Sequence, residues 1–164
     1  MIGIRRYTLL LFIILSPFIV ADIVERSTIE HLKHLEGFRS TTYWDGSRWA
    51  YGYGQAAPSK HSRISQHQAE LKLIQEVRRL RVILHAEVKV YLTTNQQVAI
   101  ICFMFNVGES AFRKSTLLRE LNAARYNNIP TQLMRWVYSA GKPILVNRRK
   151  YEVGIWFNQP SLTG

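Results

Sequence analysis

The chain has 164 residues, a length that suits one domain with a real apolar core. Apolar residues make up 47% and charged residues 20% of the sequence, which excludes a disordered chain. Twenty-two Lys and Arg against eleven Asp and Glu give a net charge of +11, which predicts attraction to polyanions: nucleic acid, anionic lipid or an acidic cell wall.

The first residues have the layout of an export signal. Arg5 and Arg6 form a short positive region, and the uncharged segment 7–20 follows it up to Ala21. We therefore predict a signal peptide or membrane anchor over 1–21.

The apolar part of this segment is short for a membrane span, which needs about 20 residues. Pro17 also weakens a continuous helix. The sequence leaves three interpretations open: a cleaved signal, a retained anchor, and a transient association of residues 2–20 with the bacterial inner membrane. Residues 22–164 are predicted to form the folded domain.

The start of that domain is predicted to be a short helix followed by a small sheet. Ser27 and Thr28 are placed to cap the helix, and Gly37 ends it. Segment 38–55 is rich in Thr, Tyr, Trp and Gly, which predicts a β-hairpin or small sheet with Asp45 at its turn.

The rest of the chain is predicted to be helical, because apolar residues recur at three- and four-residue spacing. The predicted helices cover 65–90, 96–107, 115–124, 130–139 and 147–157. The helix at 96–107 follows a capping box and is apolar enough to occupy the centre of the domain, with Cys102 as a packing residue. The fold class is therefore α+β, a small sheet lobe on a mostly helical lobe.

Glu36 is the first candidate for chemistry. It is the last residue of the predicted helix and lies at the negative end of the helix dipole, where a charged carboxylate is disfavoured. Its apolar neighbours Leu35 and Phe38 would add desolvation in the same direction. An acid that stays protonated is what cleavage of a glycosidic bond requires, because the leaving oxygen must receive a proton.

Asp45 is the second candidate, because the chain folds back between it and Glu36. Two carboxylates about 6.5–9.5 Å apart, with a water between them, are typical of an inverting glycosidase. The hairpin aromatics suit sugar binding, and the candidate contacts among them are Tyr43, Trp49 and Tyr53. A purely structural interpretation stays open from the residues alone, since Glu-Gly helix ends and Asp-Gly turns are common.

The order of several motifs resembles the signature of phage-type lysozymes. The first group of motifs is Glu36-Gly37-x-Arg39, Tyr43-x-Asp45 and Trp49-x-x-Gly52-x-Gly54. The later group is Leu92-Thr93-x-Asn95-Gln96, Phe103-x-Phe105-Asn106-Val107-Gly108, Phe112-x-x-Ser115-Thr116-Leu117, Asn122, Arg135-Trp136, Gly141 and Arg148-Arg149-x-x-Glu152. The likeness covers about residues 28–157.

The resemblance implies a lysozyme fold and hydrolysis of the β-1,4 bond between N-acetylmuramic acid and N-acetylglucosamine in peptidoglycan. It places Glu36 as the acid and Asp45 as the second carboxylate. Asn106 and Arg148 become further candidates for substrate contact. No Cys/His cluster has zinc-ligand spacing and no nucleotide-binding glycine pattern appears, so we expect no metal and no cofactor. We further expect a monomer that has peptidoglycan as its partner and works in the periplasm or cell wall.

Two positions depart from the family's pattern. Ala50 stands where the family has a catalytic Thr, and Gln55 stands where it has a His. Without the Thr hydroxyl, the attacking water loses a partner. The alternatives are a lytic transglycosylase, in which the sugar's own hydroxyl attacks, and a wall-binding protein with weakened catalysis.

A nucleic-acid-binding domain is the remaining rival, suggested by the net charge alone. The basic residues are scattered along the sequence, and no recognised nucleic-acid-binding module is visible. We therefore expect no nucleic acid among the partners.

Overall fold

Seven α-helices and one small sheet carry the fold in the computed structural model, which describes residues 17–158. The helices are α1 (Pro17–Glu36), α2 (Gln66–Glu87), α3 (Thr94–Val107), α4 (Glu109–Lys114), α5 (Thr116–Asn122), α6 (Ile129–Met134) and α7 (Val146–Trp156). The antiparallel strands are β1 (Arg39–Trp44), β2 (Trp49–Gly52) and β3 (Gln55–Ala56), in that spatial order. The α+β prediction, with a small sheet near the start of a helical domain, is confirmed.

The first helix is longer than the sequence predicts. Thr28 lies inside α1 and its hydroxyl donates to the Val24 carbonyl at 2.7 Å, so the prediction that Ser27 and Thr28 cap this helix is wrong. The helix continues upstream because Val20 and Val24 also pack against the core, which extends its apolar stripe by two turns.

The predicted signal or anchor segment lies mostly outside the described residues. Its last five positions, 17–21, belong to α1, where the Ala21 carbonyl accepts a 2.7 Å hydrogen bond from Arg81 of α2. Among residues 17–158, no helix has both the length and the apolar character that a membrane crossing requires.

The hairpin forms where the Thr, Tyr, Trp and Gly composition predicts it. Tyr43 of β1 pairs with Ala50 of β2, and Trp44 pairs with Trp49 at the end of the ladder. Side chains that are directly opposite in an antiparallel pair share one face of the sheet. Tyr43 and Ala50 therefore point to one face and the two tryptophans point to the other.

The capping box predicted at Thr93 is confirmed, and the structure shows a second one at Ser65 that the sequence analysis did not predict. Ser65 caps α2 through Gln68, and Thr93 caps α3 through Gln96. The sequence analysis missed α4, which starts immediately after Gly108. Gly108 has a φ of 85°, a backbone conformation that re-aims the chain and is open to glycine at little cost.

Helix α3 is the centre of the domain, as its apolar sequence predicts. Its residues from Val98 to Met104 are buried, and the helix packs against α1, α2 and α7. Cys102 is buried there, and burial raises the pKa of its thiol. Since α1 and α7 both pack on α3, the end of α1 meets the first turns of α7.

Candidate active site

Glu36 ends α1 at the junction of three elements. The following Gly37 has a φ of 63° and donates its amide to the Lys33 carbonyl at 3.1 Å, which turns the chain into β1. One carboxyl oxygen, Oε1, accepts a hydrogen bond from Arg148 Nη1 of α7 at 2.7 Å. The other oxygen faces the backbone of Gly54, where an added Cβ would lie 3.3 Å away.

The surroundings of Glu36 differ from the expected apolar pocket. Its side chain is 18% exposed and forms an ion pair with the guanidinium of Arg148. Phe38 is itself exposed and packs its ring on Tyr53. Glu36 therefore has a cation beside it in place of the purely apolar surroundings that the sequence predicts. The local sequence does not reveal this cation.

Arg148 belongs to a buried cluster of four charged side chains. Its Nε donates to Glu152 Oε1 at 3.2 Å, while Arg149 Nη1 donates to Glu152 Oε2 at 2.7 Å. Arg149 also donates to the side-chain oxygen of Asn106 and stacks over the Phe103 ring at 5.0 Å. Both arginines of α7 pair with carboxylates, and it is Arg148 that joins α7 to α1.

Tyr43 connects the two candidate acids. Partial burial raises the pKa of the Tyr43 phenol, and the negative charges of Glu36 and Asp45 add to that effect. The Arg39 guanidinium lies 4.5 Å from the centre of the Tyr43 ring and acts in the opposite sense. The Tyr43 phenol is therefore close enough to both carboxylates to interact electrostatically with each of them.

Asp45 forms the hairpin turn. Its Oδ1 accepts from the amides of Ser47 and Arg48 at 2.8 Å each, and from the Ser47 hydroxyl at 2.9 Å. The two backbone donors, aided by side-chain hydrogen bonds, lower the pKa of Asp45 to about 2. Its second oxygen, Oδ2, has only a 3.4 Å contact with Arg48 Nε, so it is the oxygen that is available to a ligand.

The low pKa of Asp45 predicts a defined pH window for its contribution to stability. The folded-state value of about 2 lies below the ordinary value of 3.8, so the contribution is present above pH 3.8 and is lost as the pH falls through 2. We expect D45N to be less stable than the wild type near neutrality, with the difference vanishing at the acid end. Urea unfolding at several pH values measures it, and a difference that does not change with pH would contradict the assignment.

An open groove runs beside these residues, with a cavity volume of about 490 Å³. This volume lies in the range of ligand pockets. The walls come from the hairpin, α2 and the end of α3, and the lining residues are Arg48, Gly54, Gln55, Ala56, Lys72, Gln75, Glu76, Arg79 and Phe105. Glu36 adjoins this groove through Gly54, and Asp45 adjoins it through Arg48.

The remaining candidates from the sequence are divided between the surface and the core. Trp49 is 37% exposed and packs edge-on against Trp44, on the face of the hairpin opposite Tyr43. Ala50 and Tyr53 are buried behind the hairpin surface. Asn106 is an exposed residue near the end of α3 and is bound to Arg149.

Gln55 has a structural task at the position of the family's His. Its Oε1 accepts from the Tyr53 amide at 2.9 Å and its Nε2 donates to the Ala69 carbonyl of α2 at 3.1 Å. The side chain thereby fixes the turn that carries Gly54 against Glu36.

Sequence reasoning missed several residues at this site. Gly54 and Phe105 stand in the motifs quoted above, but only the fold shows that both line the groove. Lys72 and Gln75 of α2 carried no motif, and the only available signal was their position on the exposed side of an amphipathic helix. In the part of the chain that the structure describes, no group of three His, Cys, Asp or Glu could hold a metal ion.

Comparison with known proteins gives consistent matches. The model of the Phage lysozyme family matches residues 33–152. An endolysin of Acyrthosiphon pisum secondary endosymbiont phage 1 is 35% identical over 133 residues, covering 76% of this chain and 91% of that protein. A SAR-endolysin of Escherichia phage Mu is 34% identical over 136 residues, covering 80% of each.

A solved structure agrees with the fold. The muramidase domain of SpmX from Asticaccaulis excentricus superposes with a TM-score of 0.71 at 27% identity, covering 85% of this chain and 97% of that one. The matched segment 33–152 contains Glu36, Asp45 and Arg148. The family model matches residues 33–152 of this chain, and the two endolysins are matched over 91% and 80% of their own lengths. This chain therefore belongs to the phage lysozyme family.

Proposed function

We propose that this chain is an exported endolysin, a muramidase that hydrolyses the β-1,4 bond between N-acetylmuramic acid and N-acetylglucosamine in bacterial peptidoglycan. One observation carries the proposal: the carboxyl group of Glu36 lies against Gly54, which lines an open groove, and Tyr43 is within electrostatic reach of both Glu36 and Asp45. Membership of the phage lysozyme family supports the same reaction.

Glu36 acts as the general acid. It gives its proton to the glycosidic oxygen while the bond between that oxygen and the anomeric carbon breaks. Arg148, 2.7 Å from Glu36 Oε1, then stabilises the carboxylate that the transfer leaves behind. The guanidinium therefore favours the products of the transfer, at the cost of making the protonated starting state less favourable.

Asp45 supplies a fixed negative charge on the side of the bound sugar opposite Glu36. Because its pKa is about 2, it stays ionised throughout the pH range in which bacteria grow. It stabilises the positive charge that develops on the sugar ring and orients the water that attacks the anomeric carbon. The proton released by that water leaves to solvent.

The groove favours an anionic polymer. Arg48, Lys72 and Arg79 line it, and the whole chain carries a net charge of +11. Carboxylates on the peptide arms of the wall polymer are attracted to such a lining.

Export is part of the proposal. The positive and apolar layout of 1–21 supports passage across the inner membrane, with cleavage, anchoring and transient association as the three open routes. The endolysins named above support peptidoglycan as the substrate, and one of them is named a SAR-endolysin.

Product analysis tests the function. Purified protein is incubated with purified peptidoglycan, and the soluble fragments are examined by mass spectrometry. Hydrolysis adds one water and leaves a reducing N-acetylmuramic acid end, and this is the expected result. Anhydro-muramic ends would establish a transglycosylase instead, and the absence of any fragment would leave only a wall-binding protein.

Ala50 provides a second test, because it replaces the family's catalytic Thr. The residue is fully buried and paired with Tyr43, so a Thr here places a hydroxyl on the same face of the hairpin as Tyr43. We expect Ala50→Thr to change the hydrolysis rate, by up to about 10²-fold if the hydroxyl binds the attacking water. The valine variant is the matched control for the added volume, and identical rates for both variants and the wild type would remove this position from the site.

A further inference from the structure

Glu152 lies deeper than Glu36, on the other side of the same guanidinium. It sits one turn after Arg148 in α7 and is fully buried. Its Oε1 accepts from Arg148 Nε at 3.2 Å and its Oε2 accepts from Arg149 Nη1 at 2.7 Å. Since each oxygen faces a guanidinium N–H donor, the ionised form of Glu152 fits this arrangement.

Arg148 is therefore one cation between two carboxylates. Its Nη1 serves Glu36 at 2.7 Å, its Nε serves Glu152 at 3.2 Å, and its Nη2 reaches the Cys102 carbonyl at 3.5 Å. The side chain is only 11% exposed, so solvent screens these interactions little. When the guanidinium pairs with one ionised carboxylate, it stabilises the ionised form of the other carboxylate less strongly.

We infer that Glu152 is a positioning residue for the general acid: by sharing Arg148 with Glu36, it allows Glu36 to keep its proton to a higher pH. The inference rests on the proposed role of Glu36 as proton donor. The conflict in the site is that a proton donor lies 2.7 Å from a cation. If Arg148 paired with Glu36 alone, it would hold Glu36 as a carboxylate, which has no proton to give.

The groups around Glu152 agree with this role. Burial raises the pKa of the Glu152 carboxyl to about 7, while Arg149 and Arg148 of its own helix oppose that rise and Glu36 of α1 adds to it. The Cys102 thiol of α3 also faces the cluster. The Coulomb interaction between two charges is mutual, so the negative charge of Glu152 favours the protonated form of Glu36. On the open side, Tyr43 of β1 is the titratable group that faces Glu36.

The first test is the pH dependence of the reaction in Glu152→Gln. The variant removes the competing charge and leaves Arg148 to Glu36 alone. We expect the alkaline limb of the hydrolysis profile to move to lower pH by about one unit, with a smaller change at the acid plateau. Glu152→Asp, which keeps the charge, is expected to restore the limb toward its wild-type position.

A second variant covers the case in which Glu152→Gln does not fold. The double variant Arg149→Met and Glu152→Met removes both members of the buried Arg149–Glu152 ion pair at once. Proteins often tolerate the replacement of a buried ion pair by two apolar side chains. The same alkaline limb is expected to move to lower pH. Glu25→Gln is the matched control, since it breaks the Glu25–Arg78 pair, which lies outside the site.

A direct titration separates this inference from the proposed function. Carbon-13 NMR follows the Glu36 carboxyl without any substrate, with Glu36→Gln used to assign its signal. A lower midpoint in Glu152→Gln and in the double variant than in the wild type supports the coupling even if no peptidoglycan is cleaved. An unchanged midpoint in the folded double variant overturns the inference, and so does an equal shift in Glu25→Gln.

Discussion

Replacing Glu36 with Gln is expected to lower peptidoglycan hydrolysis by about 10²–10⁴-fold, because the amide has no acidic proton for the glycosidic oxygen. The fold is expected to survive. The Gln side-chain oxygen still accepts from Arg148, and Arg148 keeps Glu152 as its ionic partner. The measurement is the rate at which new reducing ends appear, with thermal unfolding run alongside.

Glu30→Gln is the matched control for this variant. It makes the same chemical change on the same helix, at an exposed residue whose contact with Lys33 is 3.6 Å long. Its activity is expected to equal that of the wild type, since exposed pairs contribute little. Full activity in Glu36→Gln would refute the acid assignment, and a collapse of its unfolding transition would make the loss structural.

Arg148→Met is expected to have the largest effect on stability. Arg148 is the cation between Glu36 and Glu152, and its removal leaves Glu36 without its ion-pair partner and the buried Glu152 with Arg149 alone. Breaking a buried pair in this way lowers the free energy of unfolding by about 3–5 kcal/mol. The loss is expected to shrink as the pH falls, because protonation of the acids removes the uncompensated charge.

Urea unfolding at neutral and acid pH measures this effect. Arg26→Met is the control, because Arg26 pairs with Asp22 on the exposed surface of α1, where both side chains are more than half exposed. Its loss is expected to be at most about 1 kcal/mol. A similarly small loss for Arg148→Met, or one that does not depend on pH, would contradict the view that Arg148 is an electrostatic centre of the domain.

The local sequence was sufficient wherever a short-range interaction decides the structure. The capping box at Thr93 joins side chains three residues apart, and the sequence predicted it. The Asp45 turn also follows from hydrogen bonds within three residues. The sequence failed at Thr28, because packing of Val20 and Val24 against the rest of the domain extends α1 past a good capping residue.

By itself, the sequence determined the α+β class, the apolar central helix, the helix-terminal position of Glu36 and the turn position of Asp45. It also supplied the order of motifs that marks the family. Periodicity, caps and turn residues act over three or four positions, so they can be read without coordinates.

Only the tertiary structure decided what surrounds Glu36. Arg148 contacts it across 112 positions of sequence, and no periodicity or cap reports a contact of that range. The same holds for the sharing of Arg148 with Glu152, which depends on how α1 and α7 pack on α3. The charge state of an acid depends on its neighbours in space, and these are set by packing of helices that are distant in the chain.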